Sequence, residues 1–145
     1  MSFALHPDLQ RDGIDLGHFP LCQILLINDD HYPWFVLVPR RAAISDTIDL
    51  SPQDYAQLWT ESRLFSEGIM SAFSGEKLNV AALGNMTPQL HIHHIVRYAS
   101  DPAWPGPIWG QHPLRPYSVD GIRGIRDKIH AAAMPGFEPA PKPRP

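Results

Sequence analysis

Pro88-Gln89-Leu90-His91-Ile92-His93-His94-Ile95-Val96-Arg97 is the stretch on which the reading of this chain turns. Side chains on a β-strand alternate between faces with a period of two. Gln89, His91 and His93 therefore share one side of the strand, and Leu90, Ile92, His94 and Val96 share the other. The second row is mostly apolar and suits a core, with His94 a core or interface histidine. The first is a closely spaced polar array that packing alone does not explain. Imidazoles side by side on a rigid strand supply a nucleophile or ligand next to a proton donor, all titrating near neutral pH.

Working outward, the sequence reads as an α+β domain. Leu21 to Asn28 and Trp34 to Val38 are two strands joined by the turn cluster Asn28-Asp29-Asp30-His31-Tyr32-Pro33, a connection short enough to favour an antiparallel pair. A long helix begins at Ser51-Pro52-Gln53-Asp54, where Ser51 can cap the free amides, Pro52 suits the first turn and Asp54 complements the helix dipole. Tyr55, Leu58, Trp59, Ser62, Phe65, Ile69, Ala72 and Phe73 follow at helical spacing, and Gly75 is the expected stop. That stripe is expected to cover the sheet face bearing Leu90, Ile92 and Val96. Leu78 to Leu83 and Leu90 to Arg97 form a further strand pair. The segment before Pro20 is read as a short helix or turn leading into the first strand.

After Ala99 the chain turns into a Pro- and Gly-rich loop, Asp101 to Gly110, carrying Trp104 and Trp109. Tryptophans are costly to expose, so the loop is expected to be pinned to the body, a partner subunit or the site. Ile122, Ile125, Ile129 and Ala132 suggest a last short helix. The expected organisation is one domain over residues 1–134 and a mobile Pro-rich tail over 135–145.

Composition narrows the functional classes. The 145 residues carry a formal net charge of −3 without a basic run, which argues against a nucleic-acid-binding surface. The single cysteine, Cys22, has no intramolecular disulfide partner. No export signal is read at the start, and no apolar run approaches the roughly 18 residues of a membrane helix, so the cytoplasm is the expected compartment. From Lys77 through Ser100 there is no Asp or Glu, whereas Lys77 and Arg97 are present. This favours an anionic ligand and disfavours a metal, whose histidine ligands are commonly oriented by carboxylates. A His91/His93 metal site remains the third choice among functions.

The stretch Pro88 to Arg97 resembles the signature of the histidine-triad (HIT) superfamily, three histidines alternating with apolar residues on one strand. Leu78-Asn79-Val80 with Gly84-Asn85, Ile24 to Asn28, and Phe35-Val36-Leu37-Val38-Pro39-Arg40 resemble its other segments, so that about residues 20–98 are covered. Two positions depart from the pattern. Gln89 stands at the first triad position, and Trp34 stands where many members have a further histidine, with His31 three residues away.

The resemblance implies a HIT-like sheet of about five antiparallel strands with one long helix packed on it, often assembled as a homodimer. It implies nucleophilic displacement at a nucleotide's phosphorus, by a hydrolase or nucleotidyl transferase. His91 would form a covalent nucleotidyl-histidine, His93 would donate to phosphoryl oxygens, and Gln89 would do so through its amide. Asn85, Asn28, Trp34 and Arg97 are the expected substrate contacts, and no cofactor is called for. The alternative is a nucleotide-binding protein with little catalysis, because two proton carriers are replaced.

Overall fold

The computed structural model describes residues 2–141. Its elements run α1 (Pro7–Asp12), β1 (Gly13–His18), β2 (Cys22–Ile27), β3 (Trp34–Pro39), a 3₁₀ turn (Thr47–Asp49), α2 (Pro52–Ala72), β4 (Lys77–Ala81), β5 (Ile92–Arg97), α3 (Val119–Ala131) and β6 (Glu138–Pro139). The strands form a six-stranded sheet in the order β4-β5-β3-β2-β1-β6, antiparallel at every pairing. The α+β class and the single long helix agree with the reading of the sequence, and the strand count is one above it.

The two strands that the sequence reading does not place are β1 and β6. Gly13-Ile14-Asp15-Leu16-Gly17-His18 does alternate, but its two glycines read as punctuation, so the strand was missed. The register shifts between Asp15 and Gly17, and Gly17 adopts φ +134°. A Cβ there would lie 2.2 Å from the Glu138 carbonyl oxygen, so only glycine admits β6 at this approach. The tail therefore does not detach at Pro135. Met134 is buried, the Phe137 ring packs 5.4 Å from Phe19, and β6 pairs with β1. The remainder of the tail, residues 142–145, lies outside the described residues.

α2 starts as its sequence dictates, with Ser51 Oγ accepting the Asp54 amide at 3.1 Å. It buries Leu58, Glu61, Ser62, Phe65 and Ile69 against Leu90, Ile92, Val96 and the β2–β3 interior. Tyr55 and Trp59 fall off that face, 42% and 37% exposed, contrary to the expected stripe. Glu61 takes a place no apolar count would assign it. Its carboxylate accepts the Leu21 and Cys22 amides at 2.9 and 2.8 Å, tying the helix to the start of β2. The helix ends at Ala72, before Gly75. Ser74 takes the left-handed conformation, and Gly75 instead packs where a Cβ would meet Val96 and Met70.

The opposite sheet face has no long helix. One part is covered by the N-terminal segment, where Leu9, Phe3 and Leu5 pack with Leu25, Ile27, Val36, Val38 and Trp34. The other is covered by the 101–110 loop, where Ile108, Trp109 and Ala103 pack with Tyr32, Ile95 and Trp34. His91 and His93 belong to the odd row of β5 and its lead-in, which faces this side.

Candidate active site

β5 pairs with β3 on one side and β4 on the other, with Val36 opposite His93 and Ala81 opposite His93 across the two ladders. Its ladder begins at Ile92, so His91 stands one residue before regular pairing. The His91 and His93 rings meet edge to face at 4.8 Å, as alternation along the strand requires.

The His91 Nδ1–H donates to the Gln89 backbone carbonyl at 2.7 Å. A carbonyl oxygen can only accept, so this bond fixes the proton on Nδ1 and leaves the Nε2 lone pair free. Burial pushes the His91 pKa below the usual imidazole range, the carbonyl bond opposes this, and nearby His6 lowers it further. A neutral ring of fixed tautomer is the form that a nucleophile needs. The ring lines a cleft of about 290 Å³ together with Ser45, Asp46, Ala82, Gly84, Asn85, Pro88, Gln89 and Leu90. Gly84 is set by proximity: a Cβ there would sit 3.1 Å from His91 Cε1 and 2.8 Å from the Thr87 carbonyl oxygen.

His93 is occupied at both nitrogens. Its Nδ1 accepts the Trp34 indole N–H at 3.0 Å, and its Nε2–H donates to the Leu83 carbonyl at 2.9 Å. Burial pulls its pKa down to about 4. Trp109 closes on the same ring at 5.1 Å. The structure thus places His93 beside His91 but commits its donor to Leu83, not to an open cleft. Trp34 is correspondingly a hydrogen-bond partner of His93, packed in the face and not presented as a flat platform. His94, on the other face, donates from Nδ1 to Ile92 O and bonds Ser62 Oγ through Nε2 at 2.7 Å, with its pKa also near 4 through burial. It is a satisfied core histidine.

One expected catalytic residue, Gln89, and two expected substrate contacts, Arg97 and Asn28, need correction. Gln89 does not hold a free amide toward the cleft: Oε1 accepts the His6 amide and Nε2 donates to the Ala4 carbonyl, both at 2.8 Å. Arg97 is buried, and its guanidinium pairs with Asp101 at 2.7 and 3.0 Å while also donating to Asn79 and Gly106. A side chain enclosed by such partners is an anchor for the 101–110 loop, not a phosphate contact. Asn28 spends Oδ1 on the Tyr117 amide at 2.9 Å and does not line the His91 cleft. Asn85 is exposed on the cleft wall.

The His31 Nδ1–H donates to Asp29 Oδ1 at 2.5 Å and the ring stacks on His112 at 4.6 Å, so it ties the 28–33 turn to the loop before α3. Asp29, Asp30 and His31 are the one group of potential metal ligands among the described residues. Asp30 is paired there with Arg115, and Asp29 also accepts the Arg115 amide. The His91/His93 pair offers a metal only one open nitrogen, His91 Nε2.

The sequence reading missed the Leu83 carbonyl and the whole N-terminal segment as parts of the site, whereas Trp109 lies in the loop expected to be pinned to the body, a partner subunit or the site. Of the two missed, only the N-terminal segment left a signal, His6-Pro7-Asp8, a helix start in which the His6 ring accepts the Asp8 amide as cap.

A strand-borne histidine row on an antiparallel sheet backed by one helix defines a histidine-triad architecture. The HIT domain model matches residues 10–100, and the chain belongs to the HIT family. It is similar to a histidine triad protein from Marinobacter aquaeolei, at 47% identity and a TM-score of 0.89, over 91% of this chain and 96% of that one. It is similar also to a histidine triad protein from Sinorhizobium meliloti, at 42% identity and TM-score 0.88, over 90% and 96%. A third, from Bradyrhizobium japonicum, is 39% identical with TM-score 0.89, over 91% and 98%. No curated protein matches the chain. No helix among the described residues is long and apolar enough to cross a membrane.

Proposed function

We propose that this HIT protein is a nucleotide hydrolase or nucleotidyl transferase that works through a covalent nucleotidyl-histidine on His91. One observation carries the reading: the Gln89 carbonyl holds Nδ1–H and leaves Nε2 free on the wall of a cleft. Nε2 attacks the α-phosphorus, the bond from phosphorus to the leaving group breaks, and the leaving group departs with the electron pair and takes a proton. Water or an acceptor hydroxyl then attacks phosphorus from the other side and loses its proton, while the bond from phosphorus to Nε2 breaks and its electron pair returns to the ring, leaving His91 neutral. Asn85 is the side-chain amide on the cleft wall able to meet a phosphoryl oxygen.

A second reading, nucleotide binding with slow chemistry, is favoured by a specific feature. Both His93 nitrogens and both ends of the Gln89 amide are taken by the protein, so the leaving group must find its proton from solvent or from His93 after Leu83 releases it. A turnover assay on an adenosine phosphoramidate, dinucleoside polyphosphates and a sugar nucleotide decides between them. The enzyme reading expects turnover of at least one, lost by roughly 10⁴–10⁶-fold in His91→Ala. Binding of a nucleoside monophosphate with no turnover of any of the three establishes the second.

The proposal includes a two-fold dimer in the cytoplasm. β4 is an open edge strand, and Val80, Leu83 and Met86 are exposed on it and just beyond it. Unpaired edges are normally covered or paired. Light scattering at micromolar concentration is expected to give twice the chain mass, and a monomer there rejects the dimer.

A further inference from the structure

Gln89 occupies the first triad position, yet it serves the chain's own N-terminus. Its carboxamide lies across residues 4–6, accepting the His6 N–H and donating to the Ala4 carbonyl at 2.8 Å each. Earlier in the site segment and later in the N-terminal one, Thr87 Oγ1 donates to Asp8 Oδ2 at 2.8 Å. The site segment is thus stitched to the N-terminal segment at two successive points.

The position of these stitches matters. β5 pairing starts at Ile92, so Gln89, Leu90 and His91 lack the ladder that fixes the rest of the strand. Leu90 N–H reaches the Ile44 carbonyl at 3.0 Å, which holds this lead-in on the helix side. On the site side, the backbone bond is replaced by the Gln89 side chain. The Gln89 carbonyl is the group that sets the His91 tautomer. Whatever fixes the Gln89 residue therefore fixes the nucleophile's ring.

We propose that Gln89 is a positioning residue whose side chain clamps the Ala4–Asp8 segment across the site, holding the peptide that orients His91. An amide suits this task better than an imidazole. It presents one donor and one acceptor at the spacing of a peptide group, as a strand neighbour would. The inference rests on His91 as the reacting residue, but the clamp itself can be read without any substrate.

Three variants of the full-length protein test it. Gln89→Met keeps the length of the side chain and removes both hydrogen bonds. His6→Pro removes only the strap's donor to Gln89, together with the ring, and His6 already has φ −58°, which proline adopts without strain. His6→Ala removes the ring and keeps that donor. In Gln89→Met and His6→Pro, faster amide exchange over residues 4–9 and loss of the single His91 Nδ1–H tautomer in ¹⁵N imidazole spectra are expected. On a turned-over nucleotide, kcat should fall roughly 10–100-fold with little change in KM, the scale of a displaced reacting group.

His6→Ala should keep the tautomer of wild type and the exchange protection that Gln89 gives residues 4–6, with faster exchange confined to the Asp8 amide that the His6 ring caps. If Gln89→Met keeps the wild-type exchange and His91 tautomer, the clamp is rejected. A loosened strap with unchanged tautomer and kcat rejects positioning. A raised KM with unchanged kcat also overturns it, because that is the mark of direct substrate contact. Absence of turnover in wild type defeats the proposed activity alone, since exchange and tautomer still judge the clamp.

Discussion

The two faces of this sheet are built from the same strand by different means. On one, Leu90, Ile92, His94 and Val96 lie under α2 and join Phe65, Ile69 and Leu58 in one continuous core. On the other, His91, His93, Ile95 and Arg97 are covered by two irregular segments, residues 3–9 and 101–110. His93 and His94 are sequence neighbours with pKa values both depressed to about 4 by burial. Yet Ser62 on the helix completes His94, whereas Trp34 and a loop carbonyl complete His93. The helix face gives a histidine a permanent partner. The loop face gives it partners that a substrate or a loop movement can exchange, and that is where a reactive histidine belongs.

The comparison is open to breaking at each face. Phe65→Ala should cost about 3–5 kcal/mol through the cavity it leaves under α2, read as a lower urea midpoint by every probe together. Arg97→Ala strands Asp101, whose side chain is 4% exposed, and should also cost about 3–5 kcal/mol. Its loss should register first in Trp109 fluorescence and in exchange over residues 101–110. If Arg97→Ala unfolds all probes in one step like Phe65→Ala, the loop face is as cooperative as the helix face and the distinction falls.

Acid should weaken both faces together. Above about pH 6.5 the His93 and His94 rings are neutral in folded and unfolded chains alike. Between pH 6.5 and 4 the unfolded chain takes up protons that the folded chain refuses, so stability falls across that window by roughly 3 kcal/mol for each ring. Below about pH 4 these rings add no further loss. Urea midpoints at pH 7, 5.5 and 4.5 measure it, and a flat profile would mean that both rings accept protons without leaving their places.

The smallest effect is expected at Trp34. Trp34→Phe removes the bond to His93 Nδ1 and should cost about 1 kcal/mol in stability, with kcat reduced but KM held. The His93 ¹⁵N spectrum should then show a mixed tautomer. An unaltered spectrum would show that the Leu83 carbonyl alone fixes the ring.

How much of this was legible in the sequence follows the same division. Period-two alternation gave the β5 rows, and helical spacing with Ser51-Pro52 gave α2 and the face it covers. Both are regular, local signals. Family likeness gave the fold. What escaped was irregular or long-range. The Gln89 clamp joins residues 83 and 85 positions apart, and no spacing rule reaches that far. Arg97 looked free because its counter-ion, Asp101, lies just past the acid-free stretch that suggested a phosphate site. β1 was hidden by glycines that a bulge and the approach of β6 require. Tyr55 and Trp59 were counted into the core because aromatic residues at roughly helical spacing weigh heavily, although the true stripe includes the charged Glu61.

The central claim is that His91, with its Nδ1 proton fixed and its Nε2 free, forms a bond to phosphorus. The most direct measurement is acid-free rapid quench of the full-length protein with an adenosine phosphoramidate, followed by digestion and mass spectrometry of the peptide spanning Pro88 to Arg97. Wild type should carry a nucleotidyl group on His91 during turnover, and His91→Ala should carry none. A nucleotidyl group on His93, or turnover with no adduct at any quench time while His91→Ala remains active, would contradict the account.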